Sequence, residues 1–523
     1  MPQVLSWRYV YFLTIGLRFI LALADSYIHP DEHFQSLEVA TSAWLGYNTN
    51  IPWEFTSSSP ARSYAPLVVV YWPVLKVTSL LGLESPLQIW YISRLVLMVV
   101  SWMVTDWCLY KMLPTKQERI KAIYFTSSSY VTLVYQSHCF SNSIETVLVV
   151  AAVYVINELR FISGQDASQH SKAELVKLAA ALGVLVSFGV FTRITFPAFF
   201  VLPSFYLLKS FWRWKALPFA AGATFALTSA ACIILDTVMF GRRSVSELFT
   251  DPLDFAQYII TPWNNLAYNT NTSNLAKHGI HPWYTHIAAN MPQLLGPGLL
   301  LLFFRFRNRY WKTTPFLAAL SGVLFLSVVP HQELRFLIPI VPLLCCCFDL
   351  SLGYEGDAKD VASWSSVLMG LWLIFNLVMG VLMGIFHQGG VVPALDFLHT
   401  QKPQGVTQVW WRTYSPPTWM LADKEAEYQF ITLNTELQGF ELDETKKNYV
   451  IDAMGSDFKI VDALIKNLHN KVMLVTPVAS FSSNFDASRF NKTWSTPFHL
   501  DLDHLDWNDS RTLQPGLAIY ELV

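Results

Sequence analysis

VASWSSVLMGLWLIFNLVMGVLMGIF, residues 361–386, runs through 26 positions without a charged side chain. A helix of about 20 apolar residues covers the hydrocarbon core of a bilayer, so this stretch predicts a transmembrane helix. Comparable stretches lie upstream at roughly 7–24, 89–110, 119–137, 143–159, 174–192, 195–211, 216–236, 291–304, 313–330 and 337–350. Together they predict an all-α multi-pass body over residues 1–386, with about eleven transmembrane helices. After His387 the pattern changes. In residues 387–523, strand-like NYVID (448–452) and KVMLV (471–475) flank helical DFKIVDALIKNLH (457–469), and GLAIYELV (516–523) closes the chain, which predicts a small α/β C-terminal domain.

Composition agrees with a membrane protein: of 523 residues 53% are hydrophobic and 14% charged, against roughly one quarter charged in soluble domains. A net charge of -2 provides no basic field for nucleic acid, so no nucleic-acid partner is expected. None of the six cysteines lies beyond Cys347, which leaves the tail without a disulfide framework, and their spacing fits no zinc finger. Ala22-Leu23-Ala24 has the form of a signal-cleavage site, but Arg18 inside the apolar run favours a retained first span.

Short basic loops stay cytoplasmic. Here they are Lys111–Lys121, Arg160–Lys177, Lys209–Lys215 and Arg305–Lys312. Placing all four on one side puts the N-terminus in the cytoplasm and the segments 25–88, 138–142, the turn at Arg193, 237–290, 331–336 and the tail in the lumen. The three N-x-S/T sequons, Asn271, Asn491 and Asn508, all fall in the lumenal set, as glycosylation requires. The apolar stretch 65–83, with Pro66, Pro73 and Lys76, then has no room to cross and is expected to lie on the lumenal surface.

Ionisable residues at bilayer depth are costly and mark working sites. Four clusters collect on the expected lumenal side. In HPDEHFQSLEV (29–39), Pro30 can open a helix and Asp31, Gln35 and Glu38 then share a face; the bland alternative is a capped amphipathic helix. HQELRF (331–336) pairs His331 with Arg335, a forked cation suited to phosphate, or else an interfacial arginine paired with Glu333. HCFSNSIET (138–146) offers Asn142 and Glu145 for substrate, although Ser141, Asn142 and Ser143 also suit a helix cap. Arg193, in FTRITFP, needs a partner, either a carboxylate of the first cluster or a ligand phosphate. The loop 264–286, rich in aromatic, Asn and His residues, could face a sugar; its His278, His281 and His286 match no strong zinc pattern. Asp501-Leu-Asp503 has the form of a metal-sugar-nucleotide motif but sits in a strand-like end segment.

HPDEHFQSLEV, SNSIET, the Arg193 turn and HQELRFLIP occur in the order that resembles the lipid-linked-sugar-dependent mannosyltransferases of the GT-C architecture, which build N-glycan and glycosylphosphatidylinositol (GPI) precursors. The resemblance covers about the first 390 residues, and His-Pro-Asp-Glu with Phe-Gln-Ser and His-Gln-Glu-x-Arg-Phe looks most like the branch that adds the fourth GPI mannose. It implies an endoplasmic reticulum membrane enzyme with dolichyl-phosphate mannose as donor and the GPI glycolipid precursor as acceptor, forming an α1,2 linkage to the third mannose with inversion. It assigns Asp31 as general base with Glu32 as nearest substitute. His331 and Arg335 then hold the donor phosphate, Arg193 less directly, and Gln35, Glu38, Asn142 and Glu145 line the substrate. No cofactor or metal is expected, because cationic groups can neutralise a lipid monophosphate. Other lipid-linked mannosyltransferases, or a lipid transporter or scramblase, are the alternatives; a transporter would favour midplane sites and inverted repeats, and none is visible.

Overall fold

The computed structural model describes residues 7–164, 172–251, 254–276, 279–303, 310–349, 358–433, 442–505 and 510–523. Among them, four helices are long and apolar enough to cross a membrane: Pro86–Met112, Lys172–Thr192, Ala216–Met239 and Trp364–Phe386. The pair Tyr130–Ser137 and Ser141–Ile162, bent by 118°, makes a fifth if it is counted as one span. The other stretches read as crossings form shorter elements, among them Trp7–Ala22, Val201–Arg213, Thr314–Ser327, Ile340–Cys345, and Met291–Leu295 followed by Gly298–Phe303. The described residues therefore do not build eleven full-length helices. Pro297 and Pro339 fall at the breaks between these pieces, where a residue without an N–H cannot continue the helical ladder. The stretch 65–83 contains one helix, Ala65–Leu80, with Pro73 inside it. Its 16 residues extend about 24 Å, less than the hydrocarbon thickness of about 30 Å.

Small residues let the spans approach. A Cβ added at Gly183 would lie 2.1 Å from the Ala221 carbonyl oxygen, and the Ser187 and Ser229 hydroxyls meet at 2.8 Å, so Lys172–Thr192 and Ala216–Met239 pack backbone to backbone. The outer face of Ala216–Met239 exposes Phe219, Leu227 and Ile234, an apolar surface that suits lipid.

The helix ends sort by chemistry. Arg160 and Tyr206 both donate to the Lys312 carbonyl, at 2.7 and 2.8 Å, and Lys121 donates to the Tyr310 hydroxyl at 2.9 Å. These come from the basic loops or the helices that lead into them; Arg305, Arg307 and Arg309 lie outside the described residues. The opposite end of the helix Ser141–Gly164 carries Ser141 and Asn142, and Arg193 follows the far end of Lys172–Thr192.

The tail forms a six-stranded sheet of order β2-β3-β1-β4-β6-β5. The strands are β1 (Val406–Trp410), β2 (Tyr428–Thr432), β3 (Asn448–Asp452), β4 (Lys471–Pro477), β5 (Phe490–Thr496) and β6 (Leu517–Leu522). β1 to β4 run parallel and β5 and β6 pair antiparallel at one side. Alternation divides the side chains between two faces. Val472 and Leu474 pack with Val461 and Ile465 of the helix Phe458–Asn467, whereas Met473 and Val475 join a core shared with Leu395, Leu398, Trp90 and Leu37. The sheet is thus docked on the membrane body. The elements read at 448–452, 457–469, 471–475 and 516–523 are present; β1, β2 and β5 are additions.

Candidate active site

The first motif does not form the expected regular helix. His33–Leu37 is a wide π turn that continues into the α-helix Glu38–Leu45. The extra residue in that turn rotates the helix beyond it, and such bulges are frequent at functional sites. Asp31 and Gln35 still meet, with the Gln35 amide donating to Asp31 Oδ2 at 2.6 Å. Glu38 is carried away from them. It is fully buried, accepts a hydrogen bond from the Thr418 hydroxyl and others from the backbone N–H groups of Asn50 (3.0 Å) and Trp419 (3.3 Å), and so fastens the tail to the body. Burial, only partly offset by these bonds, pushes its carboxyl up to about 7.

Asp31 and Glu32, adjacent in sequence, have different surroundings. Glu32 is fully buried. His138 Nε2 accepts from Arg94 at 2.7 Å, which leaves its Nδ1–H to donate to Glu32 at 2.6 Å, while the Ile28 N–H donates to the other oxygen at 3.3 Å. Asp31 is only partly buried and ion-pairs with Arg335, which also engages Glu333. Glu333 in turn meets His331 at 2.6 Å and His29 at 3.9 Å. Burial would raise the Asp31 carboxyl, but the charges of Arg335 and His29 hold it down at about 2. The Glu333 carboxyl is likewise held well below its usual range against burial, chiefly by Arg335, and the hydrogen bond that His331 donates to it raises His331.

A second group adjoins the first. Arg193 pairs with Glu145 at 3.1 Å, and the Thr195 hydroxyl donates to the other Glu145 oxygen at 2.7 Å. The partner of Arg193 is thus a carboxylate of the third cluster, not of the first, because both residues project from helix ends that the fold brings together. Arg193 also donates to the Ser141 hydroxyl (2.9 Å) and the Asn142 side-chain oxygen (3.2 Å); Asn142 donates to the Arg335 carbonyl (3.1 Å) and Ser141 to Gln35 (3.4 Å). The Arg193 and Arg335 guanidiniums lie 5.2 and 5.7 Å from the Phe336 ring, within cation–π range.

Sequence reasoning missed Glu54 and Arg62, which pair at 3.1 Å and reach the network through Gln35 at 3.2 Å. The signal available was a lone acid and a lone base in IPWEFTSSSPARSY, a segment otherwise short of charge. Three guanidiniums and four carboxylates therefore share one site. A narrow cleft of about 20 Å³ beside it is lined by Gln35, Arg62, Ser141, Phe55, Leu67 and Ile144.

Of the loop histidines, His281 packs on this network, its ring 6.0 Å from that of His331 and its Nδ1 accepting the Gln332 N–H at 3.3 Å. Among the described residues, no group of three or more His, Cys, Asp or Glu is placed to hold a metal. His278 and Asn508 lie outside the described residues, and Asn271 and Asn491 are exposed. Asp501 holds His504 at 2.6 Å in the tail.

Comparisons with known proteins agree on the type of chain. The Alg9-like mannosyltransferase family matches residues 9–423. Among curated relatives, GPI mannosyltransferase 4 of Debaryomyces hansenii is 51% identical and that of Candida albicans 48% identical, each alignment covering 99% of both chains. Among solved structures, ArnT from Cupriavidus metallidurans bound to undecaprenyl phosphate superposes with a TM-score of 0.54 at 11% identity, over 99% of this chain and 98% of that one, which establishes a shared GT-C fold.

Proposed function

We propose that this chain, which belongs to the Alg9-like mannosyltransferase family and is a glycosyltransferase, transfers mannose from dolichyl-phosphate mannose to the third mannose of the GPI precursor. The transfer forms an α1,2 linkage with inversion, at the lumenal face of the endoplasmic reticulum membrane. The observation that carries this reading is the contact between Asp31 and Arg335, 304 positions apart, which sets a carboxylate beside a forked cation as a one-step inverting displacement demands.

In this reading the donor phosphate takes over the Arg335 fork, with His331 beside it, and Asp31 is released from the pair. The acceptor hydroxyl oxygen attacks C1 of the mannose and the C1–O bond to phosphate breaks. Its electron pair leaves on the lipid phosphate, where Arg335 stabilises the charge, and Asp31 takes the hydroxyl proton. Glu32 serves poorly as base because it is fully buried and committed to His138. The relatives named GPI mannosyltransferase 4 support the acceptor. Microsomes supplied with dolichyl-phosphate mannose and a trimannosylated GPI acceptor should yield a tetramannosylated product sensitive to an α1,2-specific mannosidase. Transfer only to an N-glycan precursor, or only to an acceptor with two mannoses, would refute the assignment. A lumenal tail also predicts glycan on Asn491, read as a mass shift on enzymatic deglycosylation that Asn491→Gln reduces by one glycan.

A further inference from the structure

In the tail, β4, the helix Val478–Asn484 and the segment 499–504 border a cavity of about 230 Å³. That is the space of on the order of eight waters, enough for a phosphate or a single sugar ring. Its wall includes Arg412, Ser480, Asn484, His499, His504 and Gln514. None of these belongs to the ion-pair network around Asp31.

Three observations mark this wall as a binding surface. His499 is 1% exposed, and its Nδ1 accepts the Gly390 N–H at 3.3 Å, which leaves the proton on Nε2; that atom has no hydrogen-bond partner among the described residues. Buried donors in folded proteins are nearly always paired, so an orphan on a residue that borders a cavity points to a missing acceptor. Arg412 has no carboxylate within ion-pair distance among the described residues, and its buried Nε is likewise unpartnered. Its backbone is held in the left-handed region, φ +55°, by an N–H···O bond to Met454 at 2.7 Å. The one acid on the wall, Asp501, is occupied by His504 Nδ1 at 2.6 Å and the Gln388 amide at 3.2 Å. With that acid engaged, Arg412 leaves the cavity with an excess of donors and positive charge.

We propose that this cavity binds a phosphate group, the one borne by the head group of the glycolipid acceptor. The assignment of the source rests on the function proposed above. A guanidinium fork flanked by imidazole and amide donors is the donor set that phosphate oxygens require. A chain of side-chain contacts leads from the cavity wall towards the candidate active site. Gln388, which donates to Asp501, accepts the Tyr414 N–H at 3.2 Å, and the Tyr414 ring lies 6.4 Å from that of His29.

The test is a phosphorus NMR titration of the full-length protein in detergent with inorganic phosphate, carried out in an Arg335→Gln background so that the network does not mask the signal. Saturable line broadening is expected, weakened roughly tenfold or more by Arg412→Asn, a residue that tolerates the left-handed backbone. Ser483→Leu, which fills the rim without touching Arg412, should act the same way. Absence of saturable binding, or binding indifferent to both variants, overturns the site. Phosphatidylinositol in the micelles that displaces phosphate assigns the lipid head group as the source; failure to displace it overturns that source and leaves a site for free phosphate. The titration needs no mannose transfer, so an error in the proposed acceptor would leave the phosphate result standing. In a transfer assay, Arg412→Asn should raise the acceptor KM while kcat and the donor KM stay the same.

Discussion

Asp31 and Glu32 are neighbours of the same chemical type, yet one belongs to a working surface and the other to the core. Glu32 has a single fixed arrangement: fully buried, held by His138 and the Ile28 N–H, with Arg94 behind the histidine. Asp31 sits in a network in which Arg335 divides its fork between two carboxylates and an incoming anion can compete. A buried charge with every partner satisfied holds a structure together, whereas a shared, partly open one is able to exchange partners.

The steepest loss should come on the working side. Asp31→Asn keeps shape but cannot take a proton, so transfer in microsomes should fall by about 10²- to 10⁴-fold at unchanged protein level; near-normal transfer would remove Asp31 as base and dissolve the contrast with Glu32. Next comes Arg335→Lys, which retains charge but loses the fork. A charge-assisted hydrogen bond is worth about 1.5–3 kcal/mol, and so a loss of roughly tenfold or more in kcat/KM is expected, with the donor KM most affected; unaltered donor kinetics would move the phosphate site, with Arg193 next to be tested.

Glu32→Gln probes the same pair from the core side. It should cost about 1–3 kcal/mol of stability by disturbing a buried hydrogen bond, read as a lower melting temperature in detergent, while transfer per folded molecule falls far less than in Asp31→Asn. Glu38→Ala should release the tail, seen as faster proteolysis between residues 402 and 433 with the membrane body intact. Acid sensitivity is the mildest consequence. Because the Asp31 carboxyl is held at about 2, below its unfolded value, its ion pair adds stability that is present above about pH 4 and lost as the pH falls towards 2. The melting temperature of wild type should therefore decline more steeply from pH 5 to pH 3 than that of Asp31→Asn.

Local signals in the sequence were enough for a multi-pass apolar body, though not for its number of full spans, for the switch to an α/β tail after His387, and for the polar residues at 29–39, 138–146, 193 and 331–336. Each of these is a matter of composition or period within a dozen or two residues, and the solvent that a segment needs depends on its own side chains. What lay beyond the sequence was any property that depends on two distant segments meeting. The π turn at His33–Leu37 moved Glu38 from the expected shared face to the tail interface. Breaks at Pro297 and Pro339 divide stretches that hydropathy alone reads as full spans. The pairings Asp31 with Arg335, Glu32 with His138 and Arg193 with Glu145, and with them the division between a base and a core acid, exist only in the folded chain. An ionisable side chain takes its role from the charges and water left around it after folding, and those come from residues a hundred or more positions away in two of the three pairs.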